Sequence, residues 1–192
     1  GPDELTAALA LAPVAARHHA ALALELAPDL APGIVGRCAL PAGTLLVRAF
    51  APGENAALRA YAALASHSGW TLAVGIQPSD FAGFAPDLQA LGDGHLLFTL
   101  PPPPEGDATH PVGRYRQLAE CLRAIGSRAP LWVRATATAD LGGDRGATGR
   151  LLDASVLSGA LLCDGLGDLL SVETEPDFAG NLRLAYNLLQ GA

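Results

Sequence analysis

Apolar and polar positions along this chain alternate in blocks rather than residue by residue. Thr44 to Phe50 (TLLVRAF), Thr71 to Ile76 (TLAVGI), His95 to Leu100 (HLLFTL) and Leu131 to Thr138 (LWVRATAT) are short, mostly apolar runs of strand length. Their hydrophobicity is continuous, as expected of strands covered on both faces in a parallel sheet. Helical segments lie between them. Asp3 to Leu26 is rich in alanine and leucine and predicts one or two helices broken at Pro13; Pro28 to Pro41 is a connector holding the apolar pair Ile34-Val35. Ala56 to Ser66 predicts a helix with Asn55 as N-cap and Gly69 as terminator. Pro78 to Leu91 predicts a short interrupted helix, and Val112 to Ser127 the clearest amphipathic one. In the latter, Leu118, Leu122 and Ile125 share a face while Arg114, Arg116 and Arg123 point elsewhere. Arg150 to Ser158 predicts a further helix, and the apolar run Ala160 to Cys163 a further strand.

Strands alternating with helices imply βαβ crossovers, hence an α/β fold with a mostly parallel sheet. The five or six strands are fewer than a closed eight-stranded barrel needs, and such a barrel takes about 250 residues. The expected architecture is an incomplete or degenerate TIM-barrel-like fold, with an open doubly wound sheet as the alternative.

Composition narrows the chemistry. The chain has 192 residues, half of them hydrophobic and 16% charged, with a net charge of −7. All twelve basic residues are arginine, so a lysine Schiff base, a P-loop lysine and a lysine general base are excluded. The acidic balance and scattered arginines (Arg17, Arg37, Arg48, Arg59) argue against a nucleic-acid face. No apolar stretch reaches the roughly 20 residues of a membrane span, and no signal peptide is evident. Cys38, Cys121 and Cys163 are widely spaced, which suggests neither a disulfide framework nor a zinc or cluster site. A reducing cytoplasm is the expected setting.

Candidate chemistry is sparse. Asp164-Gly165-Leu166-Gly167-Asp168 places two carboxylates around two glycines, after a predicted strand and so at its C-terminal end. They could hold Mg²⁺ or act as an acid/base pair; the simpler reading, and the preferred one, is a tight turn. Gly142 to Gly146 resembles a phosphate cradle but matches neither the Walker nor the dinucleotide pattern, so a flexible loop is preferred. His18 and His19 are adjacent and cannot converge on one ion from a helix, His67 ends a helix, and His110 is expected to be solvated in a proline-rich loop. No serine lies in a nucleophile elbow. Pro101 to Pro104 reads as a stiff surface loop rather than a polyproline ligand.

The final segment, from Leu151 on, reads LLDASVLSGALLCDGLGDLLSVETEPDFAGNLRLAYNLLQGA. Its order of small-residue helix, apolar run, acidic turn and closing Leu188-Leu189-Gln190 helix resembles the end of the insert domain in three-domain (plant-type) 4-hydroxy-3-methylbut-2-enyl diphosphate synthases. The resemblance implies a barrel-related α/β insert of a bacterial, cytoplasmic isoprenoid-pathway enzyme. It implies as partners, in the same polypeptide, a barrel that binds the cyclic diphosphate substrate and a domain that carries a [4Fe-4S] cluster. No cluster ligand maps onto this sequence, so no catalytic, cofactor or metal residue is carried over. Gly1-Pro2 matches the pair left when a rhinoviral protease removes a tag, and the chain has no methionine. Residues 3–192 are therefore expected to be one insert domain cut from a longer chain. The alternative is a free-standing α/β enzyme or phosphate-ligand binder using Asp164, Gly165, Gly167 and Asp168.

Overall fold

The computed structural model describes residues 22–102, 110–136, 146–173 and 178–191. His18, His19, most of the Asp3 to Leu26 segment, Pro103, Pro104, Ala137, Thr138 and the loop residues Gly142 to Arg145 lie outside them. The chain divides into two compact units, residues 1–76 with 80–98, and residues 77–79 with 99–192.

β1 (Ala23–Glu25), β2 (Leu45–Ala49), β3 (Thr71–Gly75) and β4 (Leu96–Thr99), which belong to the first unit up to Phe98, form a parallel sheet in sequential order. The register sets Leu46 beside Leu24 on one side and Leu72 on the other. Ala23 to Glu25 was expected to continue a helix. It pairs with β2 instead, because a neighbouring strand satisfies its backbone groups and tertiary context overrides alanine's helical preference. A short helix, α1 (Pro32–Val35), forms in the connector and buries Val35 completely.

The helix α2 (Asn55–Ser68) buries Leu58, Tyr61, Ala62 and Ala65, the i, i+3, i+4, i+7 stripe of an amphipathic helix. It stops where expected, at Gly69, whose φ of 67° allows the N–H to bond the Ala65 carbonyl. Asn55 is not its cap. Glu54 is the N-cap, and the Asn55 amide reaches across to the Gly83 carbonyl and the Asp87 carboxylate of α3 (Phe81–Leu91). Gly75 lies close against β2: an added Cβ would sit 3.3 Å from both the Ala49 Cα and the Arg48 carbonyl oxygen. At the start of β4, His95 adopts a φ of 62° and its Nδ1 lies 2.9 Å from the Trp70 carbonyl.

The second unit contains α4 (Pro111–Ala124), β5 (Trp132–Thr136), α5 (Gly146–Cys163), β6 (Leu169–Glu173) and α6 (Phe178–Gly191). β5 and β6 pair in parallel, with Trp132 opposite Leu169 and Thr136 opposite Glu173. Val133, Ala135 and Val172 are buried on one face of this pair. α5 buries Ala154, Leu157, Ser158 and Leu161, again at i, i+3, i+4, i+7. That stripe carries the helix through Ala160 to Cys163, so the strand expected there does not exist and β6 supplies its place. Emptying the fully buried Leu161 to alanine would cost about 2–5 kcal/mol.

Two charge expectations also change. Arg114 was expected on the polar face of α4 but is 5% exposed, its guanidinium bonded to the Gln77 side chain and the Pro101 carbonyl. His110 was expected in solvent; it caps α4, with Nδ1 accepting from the Val112 N–H at 3.2 Å. The fold is α/β with a parallel four-stranded sheet and crossover helices, and no closed barrel is formed among the described residues.

Candidate functional site

The Asp164 to Asp168 turn lies at the opposite end of the strands from the one expected. Because α5 continues to Cys163, the turn joins a helix to the start of β6 and stands at the N-terminal ends of β5 and β6. Open α/β sheets bind ligands at the C-terminal ends. Gly165 (φ 70°) and Gly167 (φ 108°) supply the left-handed conformations the turn requires, and a Cβ on Gly167 would come within 3.1 Å of Val133. Asp168 clamps the entry to β5: its carboxylate accepts from the Leu131 N–H and its own N–H donates to the Leu131 carbonyl, both at 2.8 Å. Asp164 accepts from Arg116 Nε at 2.7 Å, in a pair open to solvent. Each carboxylate thus has a structural partner.

The C-terminal halves of the strands carry two arginine–glutamate pairs. In the first unit, Arg48 near the end of β2 is 3% exposed. Its Nη2 donates to Glu54 at 2.8 Å and to the Pro28 carbonyl at 2.6 Å, and its guanidinium carbon stacks 4.5 Å from the Phe50 ring centre and 5.2 Å from that of Tyr61. The second oxygen of Glu54 accepts from the Ala51 N–H at 2.8 Å. Burial pushes the Glu54 carboxyl up, but the Ala51 and Arg48 bonds and the arginine charge outweigh it and hold it below the usual range. Tyr61, whose hydroxyl donates to the Leu30 carbonyl, is pushed up by burial.

In the second unit, Arg134 on β5 grips Glu173 on β6 through two bonds, Nε to Oε1 at 3.0 Å and Nη2 to Oε2 at 2.8 Å. Trp132 lies under the guanidinium at 4.9 Å and donates to the Ser171 hydroxyl at 3.1 Å, which in turn donates to Glu173 at 2.6 Å. Residues two apart on a strand share a face, so the parallel register brings these four side chains together. Burial raises the Glu173 carboxyl, but its bonds to Arg134 and Ser171 and the arginine charge leave it lowered. Behind this sheet the Tyr115 hydroxyl, in contact with Thr99 and the Arg134 N–H, is pushed up by burial.

None of this is poised for proton transfer near neutrality, since both glutamates are held ionised and both tyrosines protonated. The Cys121 thiol is pushed up by burial and by the Glu120 charge, the opposite of an activated nucleophile. No group of three or more His, Cys, Asp or Glu side chains converges as a metal site among the described residues.

The sequence reading missed both pairs. A signal was present: Leu45-Leu46-Val47-Arg48-Ala49 and Leu131-Trp132-Val133-Arg134-Ala135 share the pattern L-x-V-R-A, with arginine at the same place in each apolar run. A charge inside a strand-length apolar run needs a partner, and each arginine has both a glutamate and an aromatic ring.

No protein-family model matches this chain. Over 82 residues, 43% of the chain, it is 35% identical to a protein of Chlorobaculum tepidum named 4-hydroxy-3-methylbut-2-en-1-yl diphosphate synthase (flavodoxin). The match spans about a tenth of that protein's length. Among the described residues no helix is long and apolar enough to cross a membrane.

Proposed function

We propose that this chain is the middle, insert domain of a 4-hydroxy-3-methylbut-2-enyl diphosphate synthase, a structural scaffold that spaces the substrate-binding barrel from the [4Fe-4S] domain. The observation that carries the reading is the 82-residue similarity to the Chlorobaculum tepidum synthase. The α/β fold and the paired strand-end charges support it, because a domain that spaces others needs a stable core and no reactive group of its own. The parent enzyme would reductively open 2-C-methyl-erythritol 2,4-cyclodiphosphate, in the cytoplasm, with the cluster supplying electrons from outside this segment. The neighbouring domains of the same polypeptide are then its partners, and residues 3–192 are one insert of it. Asp164, Gly165, Gly167 and Asp168 serve the turn rather than a ligand in this reading.

The source gene tests it. The reading frame is expected to continue past codon 192 into a Cys-x-x-Cys segment with a third cysteine further on, and to be preceded by a barrel-coding region. A stop codon after Ala192 would refute the insert role and return the Asp164 to Asp168 turn to candidacy. In the parent enzyme, replacing this segment by a short linker is expected to abolish turnover while leaving the cluster absorbance intact.

A further inference from the structure

The Arg48 centre has the anatomy of an anion site. β2 ends, the loop Ala51 to Glu54 turns through Gly53 at a φ of 87°, and the fourteen-residue helix α2 begins at Glu54, an N-cap whose side chain makes no capping bond to it. The first N–H groups of a helix are unpaired within it and carry the positive end of its dipole. The Arg48 side chain, bonded to Glu54 at this helix start, is 97% buried, and its Nε and Nη1 have no hydrogen-bond partner among the described residues. Buried polar groups are nearly always bonded. Here Nη2 alone is engaged among the described residues, with the Pro28 carbonyl and with a carboxylate at the helix start.

Glu54 holds that carboxylate in the way a bound ligand is held. One oxygen lies on Arg48 and the other on the Ala51 N–H, each at 2.8 Å, so two donors at the end of a strand bind the two oxygens of one anion. Glu54 itself is 30% exposed. Solvent therefore reaches the carboxylate while the arginine behind it stays covered.

We propose that this is an oxyanion-binding site occupied from within: Glu54 stands in for a small anion presenting two oxygens, a carboxylate or a phosphate group, and keeps the site closed. The Arg134–Glu173 pair on the matching strand motif is the same device in the second unit, closed there by a glutamate of the next strand. Removing the Glu54 carboxylate opens the site to an external anion, which Arg48 and the Ala51 N–H then bind.

Thermal melting of wild type, Glu54→Ala and Glu54→Gln in formate, inorganic phosphate or chloride at matched ionic strength tests this. Glu54→Ala is expected to melt lower in chloride and to regain most of the lost Tm, saturably, in formate or phosphate. Wild type is expected to respond to all three salts alike. Rescue by formate alone would identify a carboxylate as the ligand, and rescue by phosphate a phosphate group. Equal responses of wild type and variant would overturn the proposal, as would a variant indifferent to the anion. Should Glu54→Ala fail to fold, Glu54→Gln followed by amide NMR keeps the question open to refutation. The Ala51 N–H is expected to shift saturably with formate in the variant and stay still in wild type; a still Ala51 in both would overturn the proposal.

Discussion

Replacing Tyr115 by phenylalanine removes one oxygen and tests how the second unit is held. Tyr115 is 2% exposed, and its hydroxyl accepts from the Arg134 N–H at 2.9 Å and lies 3.3 Å from the Thr99 hydroxyl. The variant keeps the ring and its packing but leaves a buried backbone donor without an acceptor. An orphaned buried donor costs about 1–3 kcal/mol, whereas replacing both partners of a bond by apolar groups can be nearly neutral. A loss of about 2 kcal/mol is expected, which for a chain of this length lowers the Tm by about 4–8 °C. Urea unfolding followed by far-ultraviolet circular dichroism measures it, with Tyr186→Phe as the control because Tyr186 is 60% exposed. The control should change stability by less than about 0.5 kcal/mol. A Tyr115→Phe variant as stable as the control, at an unchanged m-value, would refute the argument that this hydroxyl pins β5.

Three further outcomes are expected. Glu173 has its folded pKa lowered, so its contribution is present above its unfolded value and is lost as pH falls through the lower folded one; urea midpoints of wild type should therefore fall below about pH 4.5, and Glu173→Gln should show a flatter profile that meets wild type in acid. Gly75→Ala places a methyl 3.3 Å from backbone atoms of β2, which cannot rotate away, and should cost about 1–3 kcal/mol in a melting assay. Asp168→Asn weakens the clamp on Leu131 and should cost about 1 kcal/mol, whereas Asp164→Asn breaks only a solvent-open pair and should cost less than about 0.5. A larger loss for Asp164 than for Asp168 would contradict the placement of the turn.

The strands TLAVGI and HLLFTL and the helix ending at Gly69 were legible because each carries its own evidence, an apolar run or a terminator. Ala160 to Cys163 was not legible as helix, since a four-residue apolar run fits a buried strand equally well. Only the continuation of the Ala154, Leu157, Leu161 stripe decides it. That one misreading moved the Asp164 turn to the wrong end of the sheet. Arg114 was misplaced, and the pairing of Arg48 passed over, for another reason. For Arg114 nothing local announces burial, since Gln77 lies 37 residues away; for Arg48 the apolar run itself was the signal, although the Pro28 carbonyl that it also bonds lies 20 residues away. The candidate site was therefore the least legible part, because charge pairing across strands is decided by register.

The sequential order of β1 to β4 bears on how the chain assembles. Each strand pairs with the one made just before it, so the first sheet can be built by additions at one growing edge, each closing a single helical crossover. No strand in it waits for a distant partner, and the loop entropy of each addition stays small. A ribosome delivering this chain from its N-terminus would release β2 beside a ready neighbour, then β3, then β4. Besides the outer edge of β1, the edge awaiting a partner at any moment is that of the newest strand, which limits the time it can find a second chain.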